Sequence, residues 1–142
     1  DLWFDISLPF TMAGAVVAAT FVALPFYVMT VEGALRTMGD DLEQMAGTLG
    51  APPLTVLRRI TLPRLLPAMG AGLALAWARA LGEFGATITF AGNLPGRTRT
   101  LPLATFQALE SDPEAALALS LVLLAVSLVV LLPTRDRWLP TR

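Results

Sequence analysis

Arg79 and Glu83 stand four residues apart inside LLPAMGAGLALAWARALGEFGATITF, the long apolar run from Leu65 to Phe90. At that spacing two side chains share one helix face and can neutralise each other, so the pair fits either a structural ion pair or a polar step in a pathway. Both readings place it toward a protein interior. Gly82 and Gly85 flank the carboxylate, which allows close helix approach or a local break with backbone N–H groups free to meet an anion. The sequence holds no cysteine and no histidine, which removes thiol nucleophiles, zinc centres, disulfides and imidazole acid-base catalysis. All 10 basic residues are arginine, so no G-x-x-x-x-G-K-[ST] phosphate loop exists. The net charge of −1, without a basic cluster, argues against nucleic acid.

The elements that must carry these residues are membrane-type. Hydrophobic residues make up 55% and charged residues 15% of the 142, against roughly 25% charged in a soluble domain. Mean hydropathy is +0.66. The stretch 11–31 is uncharged and long enough to span a bilayer as a helix kinked at Pro25. The stretches 65–90 and 115–132 supply a second and a third span, the third introduced by a capping box at Ser111 and Glu114. Such long uncharged windows argue against a soluble helical core. Three spans put residues 32–64 and the tail on one side, with Arg36, Arg58, Arg59, Arg64, Arg135, Arg137 and Arg142. Residues 91–114 lie opposite with Arg97 and Arg99, so the positive-inside rule makes 32–64 cytoplasmic. The chain starts at Asp1 with no leader pattern and reads as a piece of a longer membrane protein.

The segment DLEQMAGTLGAPPLTVLRRITLPRLLP predicts two short helices around a glycine elbow. Asp40 and Glu43 have capping-box spacing, Gly50 is suited to a left-handed close, and a second helix starts at Pro52 or Pro53 and stops at Leu62-Pro63. Leu42, Met45, Ala46 and Leu49 share a face on the first helix, and Leu54, Leu57 and Ile60 on the second. These faces either pack on the chain's own spans or present a knob to another protein. Beyond the second span, residues 100–110 predict a short outer helix with Leu103, Phe106 and Leu109 on one face. Arg97 and Arg99 read either as solvated loop residues or as contacts to an acidic partner.

Gly50, nine residues, then Ile60-Thr61-Leu62-Pro63 resembles the cytoplasmic loop of ABC-importer permeases, whose signature is E-A-A, three residues, G, nine residues, I-x-L-P. The E-A-A positions hold Gln44, Met45 and Ala46, so only Ala46 is kept, with Glu43 one residue early. Gly82-Glu83-Phe84-Gly85-Ala86-Thr87 and residues 91–102, AGNLPGRTRTLP, are similar to the molybdate branch; sulfate permeases share Gly82-Glu83-Phe84-Gly85-Ala86 and Ala91-Gly92-Asn93 and diverge over Pro95 to Pro102.

The resemblance implies an all-α integral membrane protein: three transmembrane helices, the carboxy-terminal piece of one permease domain. It implies that 32–64 is a coupling loop, with Glu43, Ala46, Gly50, Ile60, Leu62 and Pro63 engaging a separate ATP-binding subunit. That subunit would hold ATP and magnesium, with no cofactor in this chain. It further implies a second permease copy, an external oxyanion-binding protein, a bacterial or archaeal cytoplasmic membrane, and molybdate as substrate, with tungstate or sulfate/thiosulfate as alternatives. Two rivals remain at this point. A secondary transporter would use Glu83 for proton coupling, and an integral membrane enzyme would need catalytic groups that only Arg79 and Glu83 bring together.

Overall fold

The computed structural model describes residues 8–135, and those residues fold entirely into helices and their connections. Helix α1 runs Met12–Thr37, α2 Asp41–Thr48, α3 Pro53–Val56, α4 Leu62–Leu81, α5 Gly85–Ala91, α6 Leu101–Ser111 and α7 Pro113–Arg135. A π-turn, Leu57–Thr61, joins α3 to α4 without interruption. Three stretches are long and apolar enough to cross a membrane: Met12–Thr37, Pro53–Leu81 and Pro113–Leu132.

Helix α1 begins where the Thr11 hydroxyl oxygen accepts the Gly14 N–H at 3.1 Å, a standard N-cap. It passes through Pro25 and continues beyond Val31 to Thr37. The charges in its last turns, Glu32 and Arg36, close on each other at 2.7 Å, so the extension adds no unpaired ion.

Apart from Leu65 and Leu103, the buried apolar residues are small, and most of the large ones lie outside. Ala15, Ala18, Ala23, Gly72, Ala74, Ala91 and Ala116 are buried, whereas Phe21 is 77% and Val129 70% exposed. A soluble protein sorts the other way, with its large apolar side chains inside. Small residues between helices and large ones outside match packing in lipid, where close backbone approach rather than water exclusion holds helices together. Helices α1 and α4 form the principal pair and meet at Gly72, where an added Cβ would lie 3.0 Å from the Tyr27 ring and 3.4 Å from the Tyr27 carbonyl oxygen. Helix α7 packs on α4 and α6.

Two local expectations are corrected. The helix does not stop at Leu62-Pro63: the Leu62 N–H bonds to the Leu57 carbonyl five residues back, and the chain runs on into α4. Pro63 has no N–H to give, and the widened turn ahead of it accommodates the missing bond. The third span is capped by Asp112 instead of Ser111, since the Ala115 N–H reaches the Asp112 carboxylate at 3.1 Å. Ser111 is still the last residue of α6, and its hydroxyl donates to Gln107 O. Arg137 and Arg142, counted above in the charge balance, lie outside the described residues.

Candidate functional site

Two polar constructions sit at opposite ends of the α3–α4 helix, whose 29 residues would extend about 43 Å at 1.5 Å per residue. The first is the elbow. Helix α2 ends in a Schellman motif: the Ala51 N–H bonds to the Ala46 carbonyl and the Gly50 N–H to the Gly47 carbonyl, both at 3.0 Å. Gly50 has φ of 80°, a region where any L side chain is strained. Pro52 and Pro53 then start α3.

The expected capping box does not form. Asp40 makes no side-chain cap bond and its carboxylate instead accepts the Gln44 amide at 2.8 Å. Glu43, freed from that role, accepts the Thr61 hydroxyl at 2.5 Å. Thr61 is buried at the last position of the π-turn, so this bond ties α2 to the root of α4. A second tie comes from Arg64, which donates to the Met38 carbonyl at 2.8 Å and holds the α4 root to the end of α1. Sequence reading used Arg64 only in the charge balance of the loop and Thr61 only as the variable position of Ile60-Thr61-Leu62-Pro63, and assigned a bond to neither.

Of the other elbow residues, Ile60 is half-buried on the π-turn, Leu62 and Pro63 are exposed in the first turn of α4, and Ala46 is half-buried with its carbonyl in the Schellman motif. The α2 face splits. Ala46 turns inward, while Leu42, Met45 and Leu49 stand 49%, 61% and 86% exposed. Three large apolar side chains, two on the eight-residue helix and one at its C-cap, are therefore left uncovered by the chain's own described spans.

The second construction is the break after α4. The helix ends at Gly82, and α5 begins at Gly85. Glu83, 6% exposed, lies in the gap and uses both oxygens: one meets Arg79 at 2.8 Å and the other accepts the Ala86 N–H at 2.8 Å. The carboxylate thus neutralises the end of one helix and caps the start of the next. Its negative charge also sits at the favourable N-terminal end of the α5 dipole. Arg79 is part-exposed and lies over the Phe26 ring of α1, 5.9 Å from its centroid.

Past α5 the chain makes a tight loop. The Leu94 carbonyl accepts the N–H groups of Arg97, Thr98 and Arg99, and the Leu94 N–H donates to the Thr98 hydroxyl at 3.0 Å. Gly92 and Gly96, at φ of 76° and 70°, turn its corners. Arg99 Nε donates to Asn93 Oδ1 at 3.0 Å, and the Asn93 amide donates to Gln107 of α6 at 3.2 Å. Arg97 is exposed. On α6 only Leu103 of the expected apolar face is buried; Phe106 meets Phe84 edge-on at 5.2 Å, and Leu109 is exposed.

Comparison with known proteins identifies the family of the chain as a whole. Residues 2–135 match the family described as the binding-protein-dependent transport system inner membrane component. The molybdenum transport system permease protein ModB of Mycobacterium tuberculosis is 55% identical over 127 residues, covering 89% of this chain and 48% of that protein. The ModB of Escherichia coli K12 is 41% identical over 137 residues, covering 96% and 60%. The sulfate transport system permease protein CysT of Salmonella typhimurium is 45% identical over 129 residues, covering 90% and 47%. The chain spans about half the length of the curated relatives it matches. No solved structure gives a significant match. With its elbow, its broken span and a match across nearly all its residues, the chain belongs to the family of inner membrane components of binding-protein-dependent transport systems.

Proposed function

We propose that this chain is part of the permease subunit of an ATP-driven oxyanion importer with molybdate as its principal substrate. It contributes to the translocation path and is itself non-catalytic. The observation that carries the reading is the uncovered apolar face of α2, Leu42, Met45 and Leu49, on an elbow braced by the Glu43–Thr61 and Arg64–Met38 bonds. A braced apolar knob suits docking into a groove of a separate ATP-binding subunit, which hydrolyses ATP with magnesium and moves the α4 root as it closes. Relatives named for molybdenum transport support the substrate. A second permease copy completes the path in a cytoplasmic membrane of bacterial or archaeal type, and an external binding protein delivers the anion.

A sulfate importer is the second reading, favoured by the 45% identity to the sulfate permease. Proton coupling through Glu83 finds less support, because both carboxylate oxygens are already engaged. The deciding experiment is uptake by the full-length permease reconstituted with its ATP-binding subunit and binding protein, comparing molybdate, tungstate and sulfate with and without ATP. ATP-dependent molybdate uptake over sulfate is expected. Preferential sulfate uptake replaces the substrate, and uptake indifferent to ATP refutes the mechanism.

A further inference from the structure

The loop with Arg97, Arg99 and Thr100 has no part in docking at the elbow, yet its geometry is closely specified. A cavity of about 330 Å³ opens beside it, lined by Ala15 and Ala19 of α1, by Glu83, and by Arg97, Arg99 and Thr100. It lies at the end of α4 remote from the elbow.

The charge of this cavity is set by what is already paired. Among the described residues Glu83 is the only carboxylate lining it, and its two oxygens are taken by Arg79 and the Ala86 N–H. Arg97 and Arg99 have no carboxylate within ion-pair distance among the described residues, so two positive charges remain uncompensated. Arg99 is also oriented. Its Nε is held by Asn93, Asn93 is held by Gln107, and its terminal nitrogens have no hydrogen-bond partner among the described residues. A guanidinium fixed at one edge with its outer nitrogens open presents a fork suited to two oxygens of one anion.

The hydroxyl of Thr100 completes the arrangement. Its oxygen is buried without a hydrogen-bond partner, although Thr100 occupies the N-cap of α6, where a threonine normally bonds the first turn. A buried hydroxyl left unpaired is unfavourable, and its presence at the positive end of an 11-residue helix, beside two guanidiniums with no carboxylate partner among the described residues, calls for an acceptor.

We infer that this cavity is a receiving site for a tetrahedral oxyanion, gripped by the Arg99 fork and the Thr100 hydroxyl, with Arg97 supplying the second positive charge. The inference rests on the oxyanion-importer reading and adds where the anion first meets the permease. Arginines at a low-dielectric mouth raise the local concentration of a dianion handed to it.

The test is equilibrium binding of radiolabelled molybdate and sulfate to the full-length permease with its ATP-binding subunit in nanodiscs, with no binding protein present. The parent should bind saturably. Arg99→Gln should bind about 10- to 100-fold more weakly, the loss expected for hydrogen bonds to a charged group. Arg97→Gln and Thr100→Val should each weaken binding several-fold, and Thr100→Ser should restore it. ATP-driven uptake by the parent is measured in parallel in proteoliposomes with its binding protein, along with the melting temperature of each variant. No binding by the parent, or parent-like binding by a well-folded Arg99→Gln, overturns the site. So does unchanged anion affinity in a variant that loses only stimulation by the binding protein. Uptake that persists in those cases leaves the importer reading intact, whereas a parent that takes up no oxyanion with ATP refutes the importer reading itself.

Discussion

At the scale of the residue, Glu83 shows how one side chain can satisfy two helices. Its Arg79 partner was legible in the sequence because a step of four is a local property of a helix. Its second bond, to the Ala86 N–H, depends on a break whose position the flanking glycines only suggested. In Glu83→Gln the amide oxygen can still cap α5, but Arg79 loses its counter-charge. Breaking one side of a buried pair costs about 3–5 kcal/mol, and the partial exposure of Arg79 reduces that figure. A lower melting temperature in detergent is expected for the single variant, with partial recovery in the Arg79→Gln/Glu83→Gln double variant. An unchanged melting curve for the single variant would refute the pairing. The Glu43–Thr61 bond, by contrast, was not legible. Its partners lie 18 residues apart, and no periodicity links them.

At the scale of the element, the elbow makes two predictions. Replacing Gly50 by valine forces a β-branched residue into φ of 80°, a cost above the roughly 1–2 kcal/mol of an ordinary left-handed residue. ATP hydrolysis should continue while uptake per ATP falls, as measured in proteoliposomes; unchanged coupling would count against a rigid elbow. Removing the brace with Thr61→Val should lower the same ratio, and Thr61→Ser should preserve it. Both helices of the elbow were readable from Gly50 and the Pro52-Pro53 pair, since these act locally. The end of α3 was misread because the proline rule assumes i→i−4 bonding, and the π-turn escapes that assumption. Asp40 and Glu43 were misread for a related reason: capping-box spacing permits the two bonds, but each carboxylate found a partner elsewhere.

At the scale of the whole molecule, packing depends on small residues where helices meet. Three apolar stretches were evident from hydropathy alone, but their partners were not, because apolar helices in lipid carry little information on the face they present. The Gly72 crossing decides which pair forms. Gly72→Leu should separate α1 from α4, lowering the yield of monodisperse full-length permease on size exclusion, whereas Gly72→Ala requires the Tyr27 ring to move by only a few tenths of an ångström. Equal yields for the leucine variant and the parent would show that this crossing does not hold the two spans.

The π-turn at Leu57–Thr61 keeps the phase between elbow and span. Each residue of an α-helix advances the chain by about 100°, but the wider turn takes up one surplus residue locally, so the elbow keeps nearly the azimuth it would have on an unbroken helix. Deleting Arg58, whose side chain is exposed, would let the turn relax to ordinary α-helix without disturbing the apolar run beyond it. The protein would still fold and insert with its knob facing nearly as it does now, whereas one residue added within the regular α-helical part of α4 would swing the knob by about 100°. The turn is thus the one place on this long helix where a residue can be gained or lost without re-aiming the elbow.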